Sequence, residues 1–433
     1  MALESAPVLL SKAEADGDEF GLNLPFLSWP DRREENVRHN PQGGTSFLKT
    51  CFNVVNALSG IGILSMPHAL SEGGWMSLIL LLAVAIICCY TAVLLQKCMA
   101  ANPLAKTYPD IGEVAFGYKG RVIVSTLMYL ELYLVAVEFL ILEGDNFEKL
   151  FPNIGFEAFG IRIDGKQEYI LLAALVILPT TWLRSLDLLS FLSVGGVMVS
   201  VVLVGSVLWA GAMDGVGFHE RGKIFDLKGI PTVFSLYAFC FCGHPVFPSI
   251  YASTKDGKRF PTVLIMCFIL CTLAYGSMGV LGYLMYGQDV KPEVTLNLPI
   301  GKINSKLAIY TTLINPFTKY ALMITPIATA IEDISPIFNM KGANIVFIRT
   351  LLVVSTVIVA LTIPFFGNVM ALTGSFLSSS ASMLLPCICY LKICPVSRSS
   401  RLELMIIGGI LAIGSSFAML GTVSSLRGII NQM

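Results

Sequence analysis

The sequence predicts an all-α polytopic membrane protein, and three observations predict it. Hydrophobic residues make up 55% of the 433 residues and charged residues 13%, about half of the roughly 25% usual in soluble domains. Mean hydropathy is +0.74. Eleven apolar runs follow a polar start, and helices fit them because backbone groups in lipid must be paired within their own segment. Barrel strands would be about ten residues of alternating polarity, a pattern the chain lacks. An ordinary cytosolic enzyme and a disordered scaffold are excluded, since so few charges cannot cover a soluble surface. Zero formal net charge gives no bulk attraction for nucleic acid, and no nucleic-acid partner is expected.

Residues 1–44 form a polar tail with acidic positions (Glu14, Asp16, Asp18, Glu19) and the mixed-charge run DRREENVR. It has no apolar period on which to build a core, so disorder is expected. It lacks the basic start and apolar centre of a signal peptide. The transmembrane domain then occupies 45–433. Its eleven segments fall at about 47–70, 74–99, 120–143, 168–183, 187–212, 230–252, 261–287, 304–332, 343–363, 367–391 and 403–425. The fourth is short and contains Pro179. The eighth is long enough to tilt or protrude. Lys and Arg between segments, including Lys97, Lys106, Arg121, Arg184, Lys255, Lys258, Arg259, Lys341, Arg349, Lys392 and Arg398, favour the side that carries the tail. The positive-inside rule places that side in the cytosol, and an odd number of spans puts the C-terminus outside or in a lumen.

Two segments are interrupted alike. The first reads NALSGIGILSMP over 56–67 and the sixth FCFCGHPVFP over 239–248. Gly60 and Gly62 weaken one helix at its middle, and Gly243 and Pro245 the other. Small residues at a helix crossing explain one such break equally well. Breaks in segments one and six together are the pair that a five-helix inverted repeat requires, and secondary transporters bind substrate there. Half-helix N-termini favour a carboxylate and freed carbonyls an ammonium, so the geometry suits a zwitterion. The candidate substrate residues are Ala57, Ser59, Gly60, Ile61 and Gly62 in segment one, Val137 in segment three, and Phe239, Cys240, Phe241 and Gly243 in segment six. The α-carboxylate is expected on N–H groups of 60–62, and the α-ammonium on carbonyls near Phe239 and Cys240. The side chain would meet Phe239, Phe241 and the neighbourhood of Val137, an apolar pocket for neutral substrates.

Four ionisable residues interrupt apolar segments: Glu131 and Glu138, seven apart on one face of the third, His244 at the second break, and Lys319 in the eighth. Each bare charge at mid-bilayer costs at least about 2.5–3.5 kcal/mol on insertion scales. Proton coupling and structural pairing, for instance of Lys319 with Glu138, both account for them. Glu143 and Asp145 are expected at a wet cap or gate on the outer end of the third segment.

Other classes leave fewer marks. The four histidines, His39, His68, His219 and His244, have no metal spacing. The eleven cysteines lie in or beside apolar segments without a CxxC pair and read as small packing residues. SFLSSSAS at 375–382 lacks a GxSxG elbow and reads as helix packing. No P-loop supports ATP coupling, and no filter or charged ring suggests a channel. No metal and no cofactor are expected.

Several stretches resemble one family. SFLKTCFNVVNALSGIGILSMPHALSEGGW at 46–75 looks like the first-helix signature of the amino acid/auxin permease family. ELYLVAVEFLILEGDN at 131–146, FCGHPVFPSIYASTKDGKRFP at 241–261 and NPFTKYALMITP at 315–326 resemble its third, sixth and eighth helices. TYPDIGEVAFG at 107–117 is similar to its short amphipathic segment after helix two. Within the family the chain looks most like the plant vacuolar branch related to vesicular inhibitory amino acid transporters. The resemblance implies a LeuT-type fold, an inverted five-helix repeat plus one C-terminal helix, and proton-linked movement of amino acids across a vacuolar or, alternatively, plasma membrane. Amino acid, protons and the bilayer are the expected partners, with no protein partner. The alternatives are a transporter-like amino acid sensor and a carrier for another small amphiphile such as an auxin-like acid.

Overall fold

The computed structural model describes residues 44–152, 155–158, 161–182, 192–334, 342–394 and 400–433. The tail before Gly44, with its expected disorder, and the orientation residues Arg184, Lys341 and Arg398 lie outside them.

The first apolar segment is two helices. α1 (Phe47–Leu58) starts at Ser46, whose hydroxyl accepts from the Lys49 amide, and stops at Ser59 and Gly60. A 3₁₀ turn (Ile61–Ser65) leads into α2 (Met66–Gly73), which Pro67 starts and Gly74 at φ 74° ends. The two halves are bent by 50°. α3 (Ser77–Ala101) returns across the bundle. α4 (Tyr108–Leu150) opens with the expected amphipathic piece, capped reciprocally by Thr107 and Asp110. It turns at Gly117, φ 65°, a left-handed conformation that a Cβ disfavours. Gly112 and Gly120 close this elbow, since a Cβ on Gly120 would collide with the Gly112 carbonyl, and Arg121 bridges Asp110 and Glu113 across it.

A two-stranded antiparallel hairpin, β1 (Gly155–Ala158) and β2 (Ile161–Asp164), follows. It corrects the all-α expectation in one small place: each strand is four residues long, too short to show an alternating period of its own. α5 (Lys166–Thr181) and α6 (Leu192–Met213) come next. The sixth segment is broken as expected, into α7 (Ile230–Cys240) and α8 (Phe247–Ser253). α9 (Phe260–Tyr286), α10 (Ile303–Ile334) and α11 (Gly342–Thr362) follow. The tenth segment is α12 (Phe366–Leu372) and α13 (Leu385–Ile393), joined by π-helical turns over 373–384. α14 (Arg401–Gln432) closes the chain.

Each of the eleven expected segments is thus built of helix where described, apart from the breaks in the first and sixth. Among the described residues, six helices are long and apolar enough to span a bilayer, and α1 with α2 makes a seventh if the bent pair is one span. The broken helices occupy the centre. α1 packs on α6 and α9, α2 on α7 and α9, and α7 also on α3, α14 and the π-helical turns. Along α7 the residues from Val233 to Ala238 are all buried. α14 and α11 lie outermost, with Met405, Met419, Leu420, Leu351 and Ile358 exposed, as lipid-facing positions are.

The bundle has two faces. On the tail side, Thr45 pairs with Thr254 in a parallel bridge, its amide on the Ser253 carbonyl at 2.9 Å and its carbonyl accepting from Lys255 at 3.1 Å. This ties the outer ends of α1 and α8. On the far face, the amides of Trp75 and Met76 bond to the carbonyls of Lys223 and Ile224, and the 287–302 loop covers α2 and the end of α4.

Candidate functional site

The two breaks lie side by side, and their freed carbonyls are met by two side chains. The Tyr275 hydroxyl of α9 points at the carbonyls of Leu58 (2.5 Å) and Cys240 (3.2 Å), the last turns of α1 and α7. The Lys319 ammonium of α10 donates to the Ser59 carbonyl at 3.2 Å. Lys319 is 7% exposed. A cation fits there because a helix C-terminus carries partial negative charge. The Ser59 hydroxyl in turn bonds to Ser200 of α6.

Gly60 and Gly62 differ. A Cβ on Gly62 would collide with the Cys240 sulfur, so Gly62 lets the two breaks touch. A Cβ on Gly60 would meet nothing within 4 Å. Gly60 faces a cavity shared with Ile61, Ile63 and Leu64, with Val199, Ser200 and Leu203 of α6, and with Thr312 and Asn315 of α10. Its volume of about 10 Å³ holds roughly one water molecule, so the chamber is shut around the break. Among the described residues no charged side chain lines it.

The remaining substrate candidates spread out. Ile61 and Gly62 belong to the 3₁₀ turn. Phe239 and Cys240 are still helical, whereas Phe241 to Val246 make the break. Phe241 is fully buried against α9, stacked on Phe268 with ring centroids 5.9 Å apart and edge-on to Tyr275 at 5.3 Å. Phe239 is half-buried, and its Cβ stands by Gly374 of the π-helical turns. Gly243 packs under Leu58 and Phe247. Val137 is fully buried and Ala57 half-buried.

The four ionisable residues fall into three places. Lys319 sits at the first break. Glu131 and Glu138 form a seam between α4 and the π-helical turns: Ser378 donates to Glu131 at 2.6 Å and Thr373 to Glu138 at 2.8 Å. Each carboxyl keeps one buried oxygen without a partner among the described residues. The seam adjoins the second break, since Cys242 lies near Glu131 and Cys240 near Glu138. His244 is fully buried and turned to α3, its Nε2 3.1 Å from both the Thr91 hydroxyl and the Cys88 carbonyl. That is the structural reading of this histidine. The expected pairing of Lys319 with Glu138 is not made: Glu138 turns to α12–α13 and Lys319 to α1. Nor are Glu143 and Asp145 a wet cap. Glu143 is fully buried, and Asp145 holds Lys166 of α5 at 2.6 Å.

Sequence reasoning missed Tyr275, Ser200, Thr312, Asn315, Thr373 and Ser378. All are hydroxyl or amide residues in apolar helices, the only mark they left. The serine run read as mere packing supplies a donor to a buried carboxyl and an irregular helix, a common feature of working sites.

A helical bundle around two centrally broken helices, with polar groups gathered at the breaks, defines a LeuT-type transporter fold. The solved structure of MhsT in complex with L-phenylalanine superposes with a TM-score of 0.53 at 12% identity, covering 87% of this chain and 98% of that one. The inward-facing conformation of Mhp1 gives 0.54 at 12%, covering 88% and 91%. At the sequence level, residues 43–427 match the family described as transmembrane amino acid transporter protein. Amino acid transporter AVT1J of Arabidopsis thaliana is 51% identical over 95% of this chain and 98% of its own. AVT1I of the same plant is 50% identical over 92% and 99%, and AVT1D is 43% identical over 94% and 78%. The chain belongs to the transmembrane amino acid transporter family, and so to a family of membrane transporters and not of enzymes.

Proposed function

We propose that this protein is a secondary active transporter that moves neutral amino acids across the vacuolar membrane, driven by a proton gradient, with its tail in the cytosol. The observation that carries the reading is the Lys319 ammonium held on the Ser59 carbonyl beside the open side of Gly60. A fixed ammonium at the negative end of α1 takes the electrostatic place of a bound cation, so Na⁺ is not required. The substrate carboxylate meets the free N–H groups at the start of the 3₁₀ turn, since the first turn of a helix has no internal acceptors. Its ammonium competes with Tyr275 for the Cys240 carbonyl. The cavity's uncharged lining selects a neutral side chain. Glu131 and Glu138 carry the coupling proton next to the second break.

The reading is tested by uptake of labelled neutral amino acids into proteoliposomes, with and without an imposed pH gradient and with Na⁺ present or absent. Accumulation that follows the pH gradient and ignores Na⁺ is expected. Uptake that needs Na⁺ overturns the coupling, binding without uptake points to a sensor, and competition by an auxin-like acid lacking the amine overturns the substrate class.

A further inference from the structure

At the far-face end of α4, a group of buried polar residues lies apart from both breaks. Asn146 and Glu293 are fully buried, and the Asn146 amide donates to one Glu293 oxygen at 2.6 Å. The same amide donates to the Leu142 carbonyl at 2.9 Å. The other Glu293 oxygen and the Asn146 carbonyl oxygen have no partner among the described residues. Asp145, the chain neighbour of Asn146, lies beside Glu293 and holds Lys166 at 2.6 Å. Lys166 also donates to the Pro364 carbonyl. Lys149 donates to the Thr295 and Leu298 carbonyls at 2.8 and 2.6 Å.

We propose that Asp145 and Glu293 form a one-proton site that fastens the 287–302 loop over the end of α4. Two carboxyls face one half-buried ammonium, Lys166. Two neighbouring carboxylates away from solvent cannot both stay ionised without a second positive charge. Lys291 faces Asp145 but is exposed, and solvent screens it. Lys149 is engaged by the loop carbonyls. His68 of α2 lies against the Val290 backbone, with Glu72 near it. A proton from water on the far face supplies the missing charge. It sits on Glu293, whose O–H donates to the Asp145 carboxylate, while Lys166 neutralises Asp145. Burial first, and the Asp145 charge second, push Glu293 well above the usual carboxylate range. The fastening is complete at low pH and is lost as pH rises through that raised value: the proton leaves to water, two negative charges repel, and the loop is released. A loop that closes on protonation belongs at a mouth facing an acidic compartment. The use of the site in transport rests on the proton-driven reading; the proton itself does not.

Infrared difference spectroscopy on the full chain in nanodiscs reads the site directly. The wild type should show a carboxylic acid C=O band that shifts in D₂O and is additional to any from Glu131, Glu138 and Glu143, and Glu293→Gln should lack it. Asp145→Asn should lack it too, because Glu293 then takes Lys166 as its partner and ionises. A band unchanged in both variants, each checked for a monodisperse folded state, overturns the site even if transport is proton-driven. Loss of the band in both supports the site even if uptake proves indifferent to pH, an outcome that would sink only the transport reading.

Discussion

Gly60 and Gly62 stand two residues apart in one break and answer different demands. Gly60 is extended, at φ −100° and ψ −162°, a conformation any residue adopts, and its missing Cβ leaves open space. Gly62 is needed because the Cys240 sulfur occupies its Cβ position. Gly60→Val should therefore fold, with thermal stability near wild type, and lose the stabilisation that substrate gives. Gly62→Val should lower stability by about 1–3 kcal/mol, the usual range for overpacking a core, with or without substrate. Thermal melts in detergent with a substrate series separate the two, and normal substrate binding by Gly60→Val would remove the break from the site. Lys319 makes the second residue-scale prediction. Lys319→Ala leaves the Ser59 carbonyl buried without its donor and removes the fixed charge. Accumulation should no longer follow the pH gradient, though the protein still inserts; full pH-driven accumulation by a folded variant would end its coupling role.

At the scale of elements, the π-helical turns between α12 and α13 link the carboxyl seam to the broken helix. A Cβ on Gly374 would collide with the Ser235 carbonyl of α7, so these turns lie directly on the sixth segment while Thr373 and Ser378 hold α4. Removing a donor strands a buried carboxyl oxygen at about 1–3 kcal/mol. Thr373→Val and Ser378→Ala should each displace the pH profile of uptake. Ser380→Ala, a half-buried position whose hydroxyl bonds to the Phe376 carbonyl one turn back, should not. Identical profiles in all three would detach the seam from coupling. The α4 elbow is a purely conformational matter. Gly117→Ala places a Cβ at φ 65°, which costs roughly 1–2 kcal/mol, and should lower the melting point while leaving the substrate series in its original order.

For the whole molecule, the tail-side bridge between Thr45 and Thr254 begins immediately after the polar tail. The bridge is made by residues 45 and 253–255, and helix formation by α1 begins at Ser46 and Phe47. Deleting residues 2–40 leaves all of these in place. Reconstituted vesicles should then show unchanged initial rates of uptake, whatever happens to sorting in cells. Loss of uptake by an inserted, folded deletion would assign the tail a part in the tail-side closure.

Much of this was decided by local physics and was legible early. Twenty or so apolar residues in lipid have to be helical, so the segments needed no tertiary knowledge. Gly60, Gly62, Gly243 and Pro245 weaken helices wherever they occur, so both breaks could be placed from the chain alone, as could the isolated charges. Their partners could not. Hydropathy assigns a residue a depth and a segment but no azimuth, and a buried charge takes whichever neighbour packing delivers. Thus Lys319 met the Ser59 carbonyl and not Glu138, His244 turned to α3, and Phe241 turned to α9. Tyr275, Thr373 and Ser378 look like any hydroxyl residues until the bundle closes, because a hydroxyl in an apolar helix can satisfy itself on its own backbone. The short hairpin after α4 escaped for a related reason: strands of four residues gain their stability from pairing with one another, which is a property of contact and not of sequence period.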